Sequence, residues 1–165
     1  RAKSEIVDRM TVVCIGGNPI GCEKPGWEFN FGNDVEAANT VLHCGGDIWL
    51  IPNNVYGTMH IGFGEIQRRI AGEIGRLLYE NLISFYETEN ASWSAGESWS
   101  LGDSPAVGVT LEPNCGSFMY CKAPEVQEDT SYHYPENSPQ IRVYTSINSR
   151  FIIEDFISKL QILYG

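Results

Sequence analysis

Three short stretches of the sequence carry side chains suited to gripping a polyol. They are Asn18 in Gly16-Gly17-Asn18-Pro19, Glu28 and Asn30 in Trp27-Glu28-Phe29-Asn30-Phe31, and Asp103 in Ser100-Leu101-Gly102-Asp103-Ser104-Pro105. Carboxylates accept hydrogen bonds from hydroxyls, carboxamides both accept and donate, and a carboxylate also ligates hard cations. Glu28 and Asn30 lie two residues apart, so in an extended segment they share a face while Phe29 anchors the other. Each residue also has a plainer use. Asn before Pro is ordinary turn chemistry, Glu28 and Asn30 can hold loop amides, and Asp103 can cap the helix that follows. Neither GxGxxG nor GxxxxGK[ST] occurs, so the glycine pairs do not spell a phosphate loop.

The loops need a scaffold, and the sequence supplies one. Thr11–Ile15 is β-branched, apolar and closed by Gly16-Gly17, which predicts a buried strand, in a parallel sheet. Asp34 is placed to cap a helix from Val35 to about Cys44, and Gly45-Gly46 ends it before a second buried strand at 47–52. Strand, helix and strand in that order predict a right-handed βαβ unit. The longest helical periodicity runs from Gly64 to about Glu87, with a break expected at Gly72 and Gly75. Residues 88–101 interleave Asn90, Ser92 and Ser98 with Trp93 and Trp99, a long loop of the kind that forms lids. A short helix from Pro105 to Leu111 follows Asp103. Residues 117–121, 130–134 and 140–147 read as strands of a mostly antiparallel tail, and 149–163 as a closing amphipathic helix. The expected fold class is α/β: a mostly parallel sheet flanked by helices, with a small antiparallel β tail, in a single domain over 1–165.

The 165 residues are enough for one packed core, and 42% of them are apolar. A formal charge of −10 argues against nucleic-acid phosphates or an anionic membrane as partners. No apolar run has the length needed to span a bilayer. Cys14, Cys22, Cys44, Cys115 and Cys121 form neither CxxC nor a Cys/His zinc pattern, so reduced thiols in a cytoplasmic protein are expected. His43 and His60 read first as structural histidines, and His133 is assigned nothing. Asn53-Asn54, after a strand end, is a plausible cleft position.

Taken in order, Gly16-Gly17-Asn18, Glu28-Phe29-Asn30, Asp34-Val35-Glu36-Ala37-Ala38 and Gly102-Asp103-Ser104-Pro105-Ala106-Val107 resemble segments of the inosine/uridine-preferring nucleoside hydrolases. That family has a strand ending in a glycine pair, an EFN loop, a helix opening D-P-E-A-A, and an HDPLAV segment. Arg150-Phe151-Ile152 onward resembles its closing helix. The resemblance runs from Thr11 to about Leu163 and is most specific at EFN with the D-x-E-A-A helix.

The resemblance implies cleavage of the N-glycosidic bond of ribonucleosides by water activated on calcium. It makes Asn18, Glu28 and Asn30 ribose-binding residues, Asp103 a calcium ligand, and the protein a homo-oligomer. Two departures bear on this. The family's aspartate run, D-x-D-x-x-x-D-D, is nowhere in the sequence, and Gly102 stands where many members carry a His that assists departure of the base. The expectation is therefore a carboxyl-terminal portion of the fold, inactive alone and dependent on an amino-terminal segment or partner chain for the missing carboxylates. Trp93, Trp99 or Tyr56 could stack on the base. Two alternatives stand beside it: a non-catalytic ribose- or nucleoside-binding module, and a structural domain that docks partners.

Overall fold

The β-branched run at Thr11–Ile15 does form a strand, and the rest of the architecture builds outward from it. The structure, a computed structural model, describes residues 4–70, 72–88, 91, 94 and 96–164. A 3₁₀ helix, Ser4–Arg9, precedes β1 (Thr11–Ile15), α1 (Phe29–Gly32), α2 (Val35–Leu42), β2 (Asp47–Ile51) and α3 (Asn53–Tyr56). Then come β3 (His60–Gly62), α4 (Phe63–Arg69), α5 (Gly72–Tyr86), β4 (Ser98–Ser100) and α6 (Ser104–Leu111). The chain closes with β5 (Gly116–Lys122), β6 (Glu125–Val126), β7 (Tyr132–His133), β8 (Gln140–Ile147) and α7 (Ser149–Tyr164). This is an α/β fold, and it divides into two compact units: Arg1–Tyr56 with Pro105–Ile147, and Gly57–Ser104 with Asn148–Gly165.

The first unit holds a four-stranded sheet in the order β1-β2-β8-β5. β1 and β2 run parallel from Thr11↔Asp47 to Ile15↔Ile51, the pairing expected of a βαβ crossover. β2 and β8 are parallel at Trp49↔Arg142 and Leu50↔Val143, while β5 is antiparallel to β8. β5 and β8 therefore form the antiparallel pair expected of them, but as part of the main sheet and not of a separate tail. The alternating Ile141 and Val143 of β8 pack on the main core, which draws that strand into the sheet beside β2. The tail proper is the β6–β7 ribbon.

One sheet face buries Ile48, Leu50, Ile141 and Val143 against Leu42 and Phe31, with Val35, Ala38 and Val41 of α2 packed on them. Asp34 caps α2 as its position predicted, its Oδ1 accepting from Ala37 N at 2.8 Å. On the same helix Asn39 brackets β6: its Nδ2 donates to Val126 O at 2.9 Å, and its Oδ1 accepts from Val126 N at 2.8 Å. His43 ends α2 with Nε2 3.0 Å from Pro124 O, a structural position. All five thiols are free, and burial pushes Cys14 up to about 12.

The second unit pairs β3 with β4, so the end of the expected lid loop is a strand. Asn90, Ser92 and Trp93 of that loop lie outside the described residues. The core here is Ile61, Phe63, Ile66, Ile70 and Ile157, with Tyr79, Leu82 and Ile153 packed around it. Arg69 clamps Glu154 of α7 through two bonds, 2.9 and 2.6 Å, and Glu65 one turn back at 2.7 Å. The expected interruption of the long helix lies between α4 and α5, where Ile70 takes an extended conformation and Gly72 a φ of +80°. Gly75 serves a different need, because a Cβ there would lie 2.0 Å from Ile70 O.

These two environments predict opposite outcomes for one kind of substitution. Gly75→Ala should destabilise by about 1–3 kcal/mol through collision with backbone. Gly64→Ala, inside α4 with open space around its Cβ position, should stabilise by up to about 1 kcal/mol. Urea denaturation midpoints at equal m-value distinguish them.

Candidate functional site

At the carboxyl end of β1 the chain turns sharply. Gly16 N donates to Ile51 O at 3.1 Å, and Gly17 O accepts from Asn53 N at 2.9 Å. Gly17 has a φ of +80°, and a Cβ there would lie 2.1 Å from the Tyr132 hydroxyl and 2.6 Å from the Phe31 ring. Only glycine fits this approach. It brings Gly17 N within 2.7 Å of Glu28 Oε2.

Glu28 is 1% exposed, and its carboxylate is saturated. Oε2 accepts from Gly17 N and from Phe31 N at 2.9 Å; Oε1 accepts from Asn30 N at 3.2 Å and from the Tyr56 hydroxyl at 2.7 Å. A buried carboxylate is tolerable only with such a complement of donors. Behind it, Glu28 N donates to Thr130 Oγ1 at 2.9 Å, and the same hydroxyl donates to Gly26 O at 3.2 Å. Thr130 is buried with a φ of +63°, an uncommon conformation for a β-branched residue, held because its hydroxyl and carbonyl are both engaged.

Asn18 is committed in the same way. At 2% exposure, its Nδ2 donates to Gly26 O at 3.0 Å and to Thr130 O at 3.1 Å, and its Oδ1 accepts from Asn53 Nδ2 at 3.3 Å. The Tyr132 hydroxyl donates to Asn18 O at 3.0 Å. Burial first, and the nearby Glu28 charge second, push the Tyr132 phenol far above its ordinary value, so it remains a donor.

The local conformation corrects the expectation of an extended 27–31 segment. Glu28 is the N-cap of α1, accepting from the amides two and three residues ahead, so the chain coils after it. Glu28 and Asn30 consequently do not share a face. Phe29, the expected anchor, is 69% exposed, and Phe31 at 7% is the buried one. Asn30 is exposed, with a side-chain amide unbonded among the described residues. It borders a mostly apolar cavity of about 260 Å³ with Cys14, Ile15, Phe31, Asp34 and Ala38. That is below the roughly 300–1,000 Å³ of ordinary small-molecule sites.

Asp103 belongs to the second unit and stands exposed immediately before α6, its carboxylate without a hydrogen bond among the described residues. Trp99 packs into the second core and meets Phe85 edge to face at 5.6 Å, while Tyr56 is held by Glu28. His60 and His133 are exposed. Among the described residues no group of three or more His, Cys, Asp or Glu side chains is placed to hold a metal ion. Calcium takes six to eight oxygens, so these residues do not fit a calcium centre by themselves. Sequence reasoning missed Thr130 and Tyr132, which complete the loop from more than a hundred residues away; nothing local marks them.

No protein-family model matches the sequence, and neither does any curated protein sequence. Solved structures do match in fold. A plant nucleoside hydrolase superposes with a TM-score of 0.67 at 18% identity, over 91% of this chain and 51% of its own. A purine-preferring ribonucleoside hydrolase from Gardnerella vaginalis gives 0.66 at 17% identity, over 91% and 49%. An inosine-uridine preferring nucleoside hydrolase from Bacillus anthracis gives 0.58 at 19% identity, over 90% and 50%. The chain thus has a nucleoside-hydrolase-like fold and spans about half the length of the structures it matches.

Brace and free group should respond differently to truncation. Glu28→Ala leaves buried amides and the Tyr56 hydroxyl without their acceptor and is expected to cost about 3 kcal/mol or more in urea denaturation. Asn30→Ala should stay within about 0.5 kcal/mol of the parent.

Proposed function

We propose that this chain is the carboxyl-side part of a ribonucleoside N-ribohydrolase and that its share of the work is to bind and orient ribose. The observation that carries the reading is the superposition of nine-tenths of the chain on about half of several nucleoside hydrolases. The ordered segments GGN, EFN and D-x-E-A-A support it.

N-glycosidic cleavage develops positive charge on the sugar, so it needs hydroxyls held by fixed polar groups and a positioned water. Asn30, whose carboxamide is uncommitted, is the residue of the EFN loop best able to take a ribose hydroxyl. Glu28 and Asn18 act first by fixing that loop; either touches sugar only by exchanging a bond it makes now. Asp103 remains available as one oxygen ligand. No water activation is assigned to the described residues, because they do not make a calcium site. Those carboxylates would come from an amino-terminal segment or a partner chain.

A second reading has its own support. Because every side-chain polar atom of Asn18 and Glu28 is engaged within the chain, the same loops also suit a scaffold that docks a partner and binds no sugar.

The product of the complete reading frame that encodes this chain is expected to release ribose from inosine or uridine with calcium and to stop on chelation. The 165 residues alone should release none. A reducing-sugar assay reads both. A complete protein that binds calcium yet turns over neither purine nor pyrimidine nucleosides would overturn the proposal.

A further inference from the structure

Asn18 and Glu28 are saturated, but the bonds that saturate them are of two kinds. Three of the four donors on the Glu28 carboxylate are main-chain amides, those of Gly17, Asn30 and Phe31. The fourth is the Tyr56 hydroxyl, 2.7 Å from Oε1. The Asn18 carboxamide divides in the same way. Its Nδ2 donates to the carbonyls of Gly26 and Thr130, while its Oδ1 accepts from the Asn53 side chain at 3.3 Å. Both side-chain donors belong to α3, a helix of only four residues.

The two kinds differ in what breaking them requires. The amides are fixed by the folded backbone, Gly17 in the turn after β1 and the other two at the start of α1. Withdrawing the carboxylate from any of them strands an N–H without its acceptor. Asn53 Nδ2 and the Tyr56 hydroxyl instead leave by side-chain rotation, with α3 staying where it is. Its backbone is tied independently, by Asn53 N to Gly17 O at 2.9 Å, by Tyr56 N to Pro52 O at 3.0 Å and by the buried Val55. Asn53 and Tyr56 are each only partly buried, so the rotated groups meet solvent.

Rotation uncovers two acceptors, Asn18 Oδ1 and Glu28 Oε1, in the loops that also carry the uncommitted carboxamide of Asn30. A ligand hydroxyl that replaces the Tyr56 phenol restores an O–H bond to the same carboxylate, so the exchange conserves the bond Glu28 loses. An anion has no such proton to give and meets the carboxylate with its own lone pairs. The class that fits is a neutral polyol.

We infer that Tyr56 and Asn53 form an internal plug: they hold the acceptor positions that two hydroxyls of a sugar would take, and they rotate away when it binds. The inference rests on the ribose-binding reading and adds its regulation. Apparent affinity is set by competition between sugar and α3, reduced by the fraction of molecules whose plug is in place.

The test is titration of the 165-residue chain with ribose, followed by amide and tyrosine-ring NMR shifts. Tyr56→Phe keeps the ring and removes the competing hydroxyl. It should bind ribose about tenfold tighter than the parent while unfolding at lower urea concentration. A residue that only braced the loop would lose stability without gaining affinity. If Tyr56→Phe does not fold, Asn53→Ala should tighten binding about threefold by freeing Asn18 Oδ1. In the parent, ribose should also shift the Tyr56 ring resonances. A folded variant that binds no tighter, or a Tyr56 ring unmoved at saturating ribose, overturns the plug and leaves the ribose reading standing. If neither parent nor variants bind ribose, the ribose reading itself fails and the plug falls with it.

Discussion

A single buried carboxylate organises the loops at the carboxyl end of β1. Glu28 gathers amides from the glycine turn after β1, from its own helix start, and a hydroxyl from α3. Three connections that would otherwise be independent loops share one acceptor. The cost of taking that charge out of water is offset because every lone-pair direction meets a donor. The glycines, the coil of α1 and the strained Thr130 are all consequences. Gly17 must lack a side chain for its amide to reach the carboxylate, and Thr130 must accept its φ for its hydroxyl to meet Glu28 N.

The bonds that make the turn rigid also remove Glu28 and Asn18 from the pool of free polar groups. Their saturation leaves Asn30 as one of the few uncommitted polar groups near the turn among the described residues. Half of a nucleoside-hydrolase-like fold is therefore present with its bracing intact, while the described residues lack the acidic set that a hard cation needs.

The scaffold was readable because its signals are local and periodic. β1, α2 and β2 follow from a β-branched run, a capping Asp34 and a glycine stop, and all three lie where those residues predict. The break between α4 and α5 was legible at Gly72 for the same reason. The interior of the candidate site was not. A carboxylate that caps its own helix looks, in sequence, the same as one in an extended loop, so the buried anchor is Phe31 and not the expected Phe29. Placement of β8 inside the sheet depended on competition between neighbouring strands, which no window of sequence contains. Thr130, Tyr132 and the partnering of Trp49 with Arg142 are likewise long-range facts.

The distance along the chain between Glu28 and Thr130, 102 residues, has a consequence for synthesis. A ribosome adding about 5–20 residues per second reaches Thr130 roughly 5–20 s after Glu28 has left the peptidyl-transferase centre. Throughout that interval the nascent amino-terminal segment lacks the hydroxyl and carbonyl that seat its glutamate and asparagine. The turn consequently matures late, after translation has passed residue 130, and until then it stays open to chaperones.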